Sequence, residues 1–195
     1  MPIFVDHDER RVQIVTAALQ VLGEQGFAKF TLKAVGAQMG GSVTLVTHYF
    51  PTRDELLDAV LEWVLAEARA TQEDLLGITD PHERLEAVVR YFLPMTDDSL
   101  MIERARVAVA SHRKSEPLIA DHTERIDPVM REVVRRGVED FVPPERLEAT
   151  IDLIRLWTAG VVLTTIEHPE AWTPERQIEA LQQFVALIDL PVDVS

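Results

Sequence analysis

Residues 31–50 read TLKAVGAQMGGSVTLVTHYF and predict two short helices that are joined by Gly40 and Gly41 and closed by an aromatic pair. Glycine adopts positive φ at little steric cost, so the chain can reverse its direction within a few residues. Thr31 and Ser42 are suitable N-caps for the two helices, and the second helix, from Val43 to about Tyr49, would point Thr44, Thr47 and His48 outward. A helix of this size fits the DNA major groove, and the stretch therefore indicates a helix-turn-helix.

The remaining sequence also has helical periodicity. Apolar residues recur at spacings of three and four, and no alternating run indicates a strand. We therefore expect an all-α protein of about nine helices. The first helix is expected to begin near Asp6 or Asp8 and to end at Gly26, with Phe27 anchoring the turn. Its predicted buried stripe comprises Val12, Val15, Leu19 and Leu22.

A long fourth helix is predicted to connect this N-terminal head to the rest of the chain. Thr52 and Glu55 have the spacing of a capping box at its start. Its apolar stripe begins at Leu56 and continues into the 70s. The sequence thus predicts a helix-turn-helix domain over residues 1–51 and a second domain over residues 52–195.

Prolines mark the boundaries of the next three helices. The fifth helix is expected to begin at Asp80-Pro81, and the sixth to run over about Asp97–Ser111. The seventh is expected to reach about Phe141, with an irregular first part because of Pro117 and Pro128.

The last two helices are unusually apolar. Residues 145–167 are too apolar for a surface helix with one narrow buried stripe, and Thr173-Pro174 is a capped start of the final helix. We expect this pair to cover a core on one side and a second subunit on the other. The predicted interface residues are Ile154, Val161, Val162, Ile178, Leu181, Phe184 and Val185.

The charge distribution favours a single DNA-binding surface. The whole chain has a formal net charge of −14, which opposes DNA binding because duplex affinity depends largely on basic side chains. Residues 1–53, however, hold five basic and four acidic side chains and have a net charge of +1. An acidic body would repel DNA, so that only the head could approach it. The alternative interpretation is that the difference in charge between the head and the body is accidental.

Composition excludes some kinds of site and favours the cytoplasm. The chain contains no cysteine, which excludes disulfides, thiolate catalysis and thiolate zinc sites. No run of about 18 apolar residues indicates a membrane span, and the first residues lack the order of a secretory signal. We therefore expect a soluble cytoplasmic protein that has no membrane partner.

The order of motifs resembles that of the TetR family of bacterial transcriptional regulators. The resemblance covers about residues 10–60 and includes Gly26-Phe27, Thr31, Gly40, Ser42 and the segment from Tyr49 to Leu57. It implies an all-helical homodimer with three helices in the DNA-binding head, a connector helix and a dimer interface on the last two helices. It further implies that a small molecule bound in the body releases the protein from its DNA operator.

Within this resemblance, the second helix of the motif is expected to face DNA. Val43 and Leu45 offer apolar contacts to thymine methyl groups, whereas Thr44 and Thr47 can reach bases or phosphates. Thr47 stands where the family often has a tyrosine, and Gly36 stands where it often has alanine. The complete predicted DNA-binding set is Lys29, Thr31, Lys33, Ser42, Val43, Thr44, Leu45, Thr47, His48, Tyr49 and Arg53, of which Lys29, Thr31, Lys33 and Arg53 are expected at phosphates.

Aromatic, methionine and hydroxyl side chains of the body suit a mainly apolar effector cavity that has few polar groups. The same residues suit an ordinary core equally well. The candidate ligand-binding residues are Phe92, Met95, Met101, His112, Met130, Trp157 and Thr158.

No enzyme signature is present in the sequence. It contains no Glu-x-x-His pair, no nucleophile elbow and no Gly-rich phosphate loop. The sequence therefore predicts no catalytic residue, no metal site and no cofactor. The alternative to a regulator is a helical ligand-binding or protein-interaction scaffold that does not bind DNA.

Overall fold

The computed structural model describes residues 7–188, and within that range the chain forms nine α-helices and one short 3-10 helix over Phe27–Lys29. Asp6, one of the two predicted starting points of the first helix, lies outside the described residues. The expected all-α architecture is confirmed. The helices are α1 (His7–Gln25), α2 (Leu32–Gln38), α3 (Val43–Tyr49), α4 (Arg53–Gly77), α5 (Pro81–Tyr91), α6 (Asp97–Ala110), α7 (Pro117–Val138), α8 (Pro144–Glu167) and α9 (Pro174–Leu187).

Most helix boundaries follow local capping chemistry. Asp80 accepts hydrogen bonds from the first backbone N–H groups of α5, and Thr173 accepts one at the start of α9. In the capping box of α4, Glu55 N donates to Thr52 Oγ1 at 3.2 Å, and that hydroxyl donates to the Glu55 carboxylate at 2.9 Å. These starts were predictable because each cap depends on residues that are neighbours in the sequence.

The first compact unit consists of the chain up to Ala66 together with Met101–Thr123. It therefore combines α1, α2, α3 and the first half of α4 with most of α6 and the beginning of α7. Its core is built mainly from apolar side chains that include Ile14, Leu22, Phe30, Val35, Val46, Phe50, Leu56 and Leu57.

The second compact unit consists of Glu67–Leu100 together with the chain from Glu124 onward. Its main core contains Leu85, Val89, Leu93, Val134, Val138, Ile151, Ile154, Val161, Leu181 and Val185. These two units describe packing, and the functional division at residue 51 stays a prediction.

Two details differ from the sequence-based expectations. Val12 is exposed, with a relative accessibility of 47%, whereas Val15, Leu19 and Leu22 are buried as expected. Val12 instead lines an open groove together with Trp63 and Phe50. The irregular first part predicted for α7 was wrong, because the helix is continuous from Pro117 and contains Pro128. Pro128 is exposed, and a proline can remain within a helix at the cost of one backbone hydrogen bond.

Among the helices that the structure describes, α8 is long and apolar enough to cross a membrane by length and composition. One face of α8 lies in the core of the second unit, where Ile151, Ile154 and Val161 are buried. Leu156 and Leu163 point away from that core and are exposed. We interpret this composition as that of a helix with two protein-facing sides.

Candidate nucleic-acid interface

The turn between α2 and α3 has the backbone geometry that its glycines predict. Gly40 has a φ of +66°, which lies in the left-handed region that favours glycine. Its N–H donates to Ala37 O at 2.9 Å, and Gly41 N donates to Gly36 O at 3.0 Å. The chain thus reverses immediately after α2.

Both helices of the motif have the expected N-caps. Thr31 Oγ1 accepts a hydrogen bond from Ala34 N at 3.1 Å, and Ser42 Oγ accepts one from Thr44 N at 3.1 Å. A cap of this kind stabilises a helix by about 1 kcal/mol relative to alanine. For α3, which has seven residues, that contribution is a large part of its local stability.

Gly36 allows α2 and α3 to approach closely. A Cβ at this position would lie 3.1 Å from both Ser42 C and Val43 N, which are backbone atoms. The glycine therefore places the first residue of α3 directly against α2. A glycine within a helix lowers the stability of that helix by about 0.5–1 kcal/mol relative to alanine, and the close packing of α2 and α3 favours the glycine in spite of this loss.

Val46 anchors α3 to the core of the first unit, since its side chain is completely buried. The other side of the helix is exposed and includes Thr44, Thr47 and His48. The predicted outward orientation of these three residues is therefore confirmed. Val43 is also exposed, whereas Leu45 is half-buried.

The basic side chains expected at phosphates differ in their surroundings. Lys29 and Lys33 are exposed, and Thr31 is exposed beside its capping bond. Arg53 is half-buried and is paired with the carboxylates of Asp54 and Glu116. Thus two lysines present cations near the motif, while Arg53 is already bound within the protein.

Arg11 holds the end of α3, a role that sequence reasoning missed. Its Nη1 donates to Tyr49 O at 3.3 Å, and its guanidinium carbon lies 4.5 Å from the centroid of the Phe50 ring. The Tyr49 ring also contacts the His7 and His48 rings, with centroids 5.6 and 5.1 Å apart. Local sequence patterns did not reveal this role, because Tyr49 lies 38 positions after Arg11 in the chain.

The candidate effector residues are distributed over both compact units. Met101 and His112 belong to the first unit, and the other five belong to the second. The Trp157 ring is stacked on the Phe184 ring at 4.5 Å, and Thr158 is buried with its hydroxyl donating to Arg155 O. An effector site formed by these residues stays a prediction.

The predicted dimer interface needs a correction at five positions. Ile154, Val161, Val162, Leu181 and Val185 are each at most 4% exposed within the single chain, so a second chain cannot reach them. Four of them, Ile154, Val161, Leu181 and Val185, belong to the core of the second unit. Ile178 and Phe184 are half-buried at the edge of the same core.

The exposed apolar side of α8 was missed, because a helix that is apolar on two sides does not reveal which one faces the core. Leu153, Leu156 and Leu163 have relative accessibilities of 49%, 71% and 46%. Ala149 and Gly160 lie on the same exposed side. These positions follow one another at helical spacing and form a continuous apolar stripe.

The described residues contain no group of three or more His, Asp or Glu side chains that could hold a metal ion. In the second unit, Arg131 and Arg135 of α7 instead pair with Glu148 and Asp152 of α8. Hydrogen bonds from Arg135 and Arg131 lower the pKa of the Glu148 carboxyl below its ordinary value of 4.5. This ion-pair cluster holds two helices together and has no coordination site.

Comparison with protein families finds a match within the N-terminal part of the chain. The family model described as "Bacterial regulatory proteins, tetR family" matches residues 14–60. The HTH-type transcriptional regulator BetI of Burkholderia cenocepacia strain HI2424 is 30% identical over 121 residues, which are 61% of this chain and 62% of that protein. The alignment therefore leaves more than a third of this relative's length unmatched. The HTH-type transcriptional regulator PksA of Bacillus subtilis strain 168 is 26% identical over 96% of this chain and 94% of its own.

Solved structures share the fold over nearly the whole chain. A transcriptional regulator from Rhodococcus sp. Rha1 has a TM-score of 0.78 at 22% identity, covering 91% of this chain and 95% of its own. A putative transcriptional regulator from Saccharomonospora viridis, solved in complex with choline, has a TM-score of 0.77 at 18% identity, with coverages of 92% and 97%. At these identities the likeness concerns the fold. The relatives described here are transcriptional regulators and not enzymes.

Proposed function

The chain belongs to the TetR family of bacterial regulatory proteins through its N-terminal helix-turn-helix, and on this premise we propose that it is a DNA-binding transcriptional regulator. The observation that carries the proposal is the exposed side of α3. Thr44, Thr47 and His48 are accessible on a helix that is capped by Ser42 and anchored by Val46. Hydroxyl and imidazole groups on such a helix can bond to base edges in the major groove.

The proposed contacts divide into two kinds. The base contacts are made by exposed side chains of α3, namely Val43, Thr44, Thr47 and His48, with half-buried Leu45 beside them. The phosphate contacts are made by Lys29, Thr31 and Lys33. The second kind positions the protein and carries no sequence information. Tyr49 and Ser42 mainly hold α3 in place through ring packing and capping.

Substitutions on α3 test this proposal. Thr47→Ala and His48→Ala should each weaken binding to an operator that the wild-type protein selects from a random duplex pool, by about 1–3 kcal/mol, because each removes a base contact. Thr16→Ala is a matched control, since Thr16 is also exposed and its hydroxyl also bonds to a carbonyl of its own helix. Equal loss in all three variants, or loss of helical content in the α3 variants, would contradict a DNA-contacting role.

We further propose that a small molecule bound in the body releases the DNA, so that the protein acts as a repressor in the cytoplasm. Release requires that the molecule bind the conformation without DNA more tightly than the DNA-bound one. The Saccharomonospora viridis regulator with choline supports a ligand-binding body in this fold, at 18% identity. Choline chloride is therefore the first probe: an effector should raise the unfolding temperature and release bound duplex in the same concentration range.

We also propose a homodimer formed through the exposed stripe of α8, comprising Ala149, Leu153, Leu156, Gly160 and Leu163. Leu187 of α9 is 84% exposed and is a further apolar side chain outside the core. An apolar stripe that stays exposed over consecutive turns of a helix is a candidate protein interface. A dimer would present two copies of α3 to a near-palindromic operator.

The acidic composition favours one competing function, a scaffold that does not bind DNA. A net charge of −14 opposes nonspecific association with a polyanion. Binding to a random duplex at low salt distinguishes the two: a regulator binds and loses affinity steeply as salt rises, whereas a scaffold does not bind at any salt concentration.

A further inference from the structure

The guanidinium of Arg53 lies within a cluster of rings and carboxylates. Its Nη2 is 3.4 Å from Glu116 Oε1, and its Nη1 is 3.2 Å from Asp54 Oδ1. Its central carbon lies 4.5 Å from the centroid of the Phe27 ring and 5.7 Å from that of Phe30. A planar guanidinium can stack on a ring and pair with a carboxylate at once, which a lysine ammonium cannot do in the same way.

Glu116, which pairs with Arg53, belongs to the turn between α6 and α7. The same turn also contacts the 3-10 helix. The ring of His112, in the same turn, lies 4.3 Å from the Phe27 ring. Glu116 N donates to His112 O at 3.0 Å, so the two contacting residues are held in one hydrogen-bonded turn. The turn therefore meets the head through an ion pair and through a ring contact.

The α6 segment also packs against α1 without space for a side chain. A Cβ on Gly23 would lie 2.7 Å from Met101 O, a backbone atom. Ala105, Val109 and Ile119 are buried in the core of the first unit. The segment from Met101 to Thr123 is thus part of the unit that contains the helix-turn-helix.

We propose that Arg53 is a positioning residue that links the α6–α7 turn to the head, in place of the phosphate contact that its sequence position suggested. Arg53 is the first residue of α4 and follows Phe50, the C-cap of α3, by three positions. A displacement of the α6–α7 turn is therefore transmitted through Glu116 and Arg53 to the end of α3. This inference rests on the proposed DNA-binding function.

Two variants distinguish a link from a phosphate contact, with a random-sequence duplex as the probe. For a link, Arg53→Gln and Glu116→Gln both lower DNA affinity by about fivefold or more, and the salt dependence is unchanged. For a phosphate contact, Arg53→Gln alone lowers the slope of log K against log salt by about 0.9, and Glu116→Gln strengthens binding because it removes a negative charge. The second pattern would overturn the proposal.

Two further variants sharpen the test. Arg53→Lys keeps the charge but loses the planar stack, so it should behave like Arg53→Gln if Arg53 is a link and like the wild type if it binds phosphate. Glu24→Gln is the control for Glu116→Gln, since Glu24 is an exposed acid on α1 of the same unit. It should leave the affinity within about twofold of the wild type, a difference of about 0.4 kcal/mol.

Urea unfolding separates failure of the link from failure of DNA binding. If the link exists, the midpoint shift of the Arg53→Gln, Glu116→Gln double variant is smaller than the sum of the two single shifts. Additive shifts would overturn the link even in a protein that binds DNA. If the wild-type protein binds no duplex, the proposed regulator function is refuted. The comparison of the double variant with the two single variants would still show whether Arg53 and Glu116 interact.

Discussion

At the residue scale, contacts between sequence neighbours were predictable, and contacts between distant residues were not. The caps Thr31 and Ser42 were predicted correctly because each bonds to a backbone N–H two or three residues away. Arg53 was expected at a phosphate, yet it pairs with Glu116, 63 residues away. Only the folded chain determines whether an arginine in this motif is available to DNA.

Gly23 offers the clearest stability test of a single residue. Gly23→Ala should lower the free energy of unfolding by about 1–3 kcal/mol, because the added methyl group would meet the Met101 carbonyl oxygen and the backbone must move. Urea denaturation measures the change. Gly77→Ala is the control, since a Cβ there meets nothing within 4 Å. Equal stability of Gly23→Ala and the wild type would contradict the close packing of α1 and α6.

At the scale of the element, helix starts were predicted well and buried faces less well. The capping box of α4 and the Pro174 start of α9 were evident from short sequence patterns. In α8, however, both sides are apolar, so periodicity did not show which side the core would cover. That ambiguity explains why core residues such as Ile154 and Val161 were expected at the interface.

The capping box makes a quantitative prediction for α4. Thr52→Ala should destabilise the protein by about 0.5–2 kcal/mol, because Glu55 N loses its hydrogen-bond acceptor. Thr52→Ser, which keeps the hydroxyl, should restore most of the loss in thermal unfolding. A serine variant as unstable as the alanine variant would show that the cap is not the cause.

The ion-pair cluster between α7 and α8 predicts a pH dependence. Because Arg135 and Arg131 lower the pKa of Glu148, its contribution to stability is present above the ordinary pKa of 4.5 and is lost as the pH falls through the lower folded value. Glu148→Gln should therefore be less stable than the wild type at pH 7, by a small amount for an exposed pair, and the difference should shrink at acid pH.

Urea midpoints at neutral and acid pH measure this difference. Glu73→Gln on α4 is a suitable control because Glu73 is also an exposed glutamate within a helix. A Glu148→Gln deficit that stays constant or grows toward acid pH would contradict the proposed ion pairs.

At the scale of the whole molecule, the order of helices was predictable, whereas the packing units were not. The expected functional boundary followed the end of the helix-turn-helix motif. Packing instead includes most of α6 and the start of α7 in the first unit, because Met101–Thr123 supplies part of its core. These contacts join segments that are distant in sequence, and local patterns do not encode them.

The homodimer predicts which surface leucines matter. Leu156→Glu and Leu163→Glu should each shift the protein toward monomer in sedimentation velocity, because an unpaired charge in an apolar interface costs several kcal/mol. Leu76→Glu is the control on α4, since Leu76 has an accessibility of 39%, close to the 46% of Leu163. Dimers that persist in both α8 variants would place the interface on another surface.

The most direct test of the regulator is selection of DNA by the purified protein from a random duplex pool at moderate salt. We expect recovery of a near-palindrome whose half-sites lie about one helical turn apart or a multiple of it, because a dimer presents two copies of α3. The recovered duplex should lose affinity for Thr47→Ala and His48→Ala, and not for Thr16→Ala. Recovery of no sequence above background, under conditions in which the protein is folded and dimeric, would contradict the proposed function.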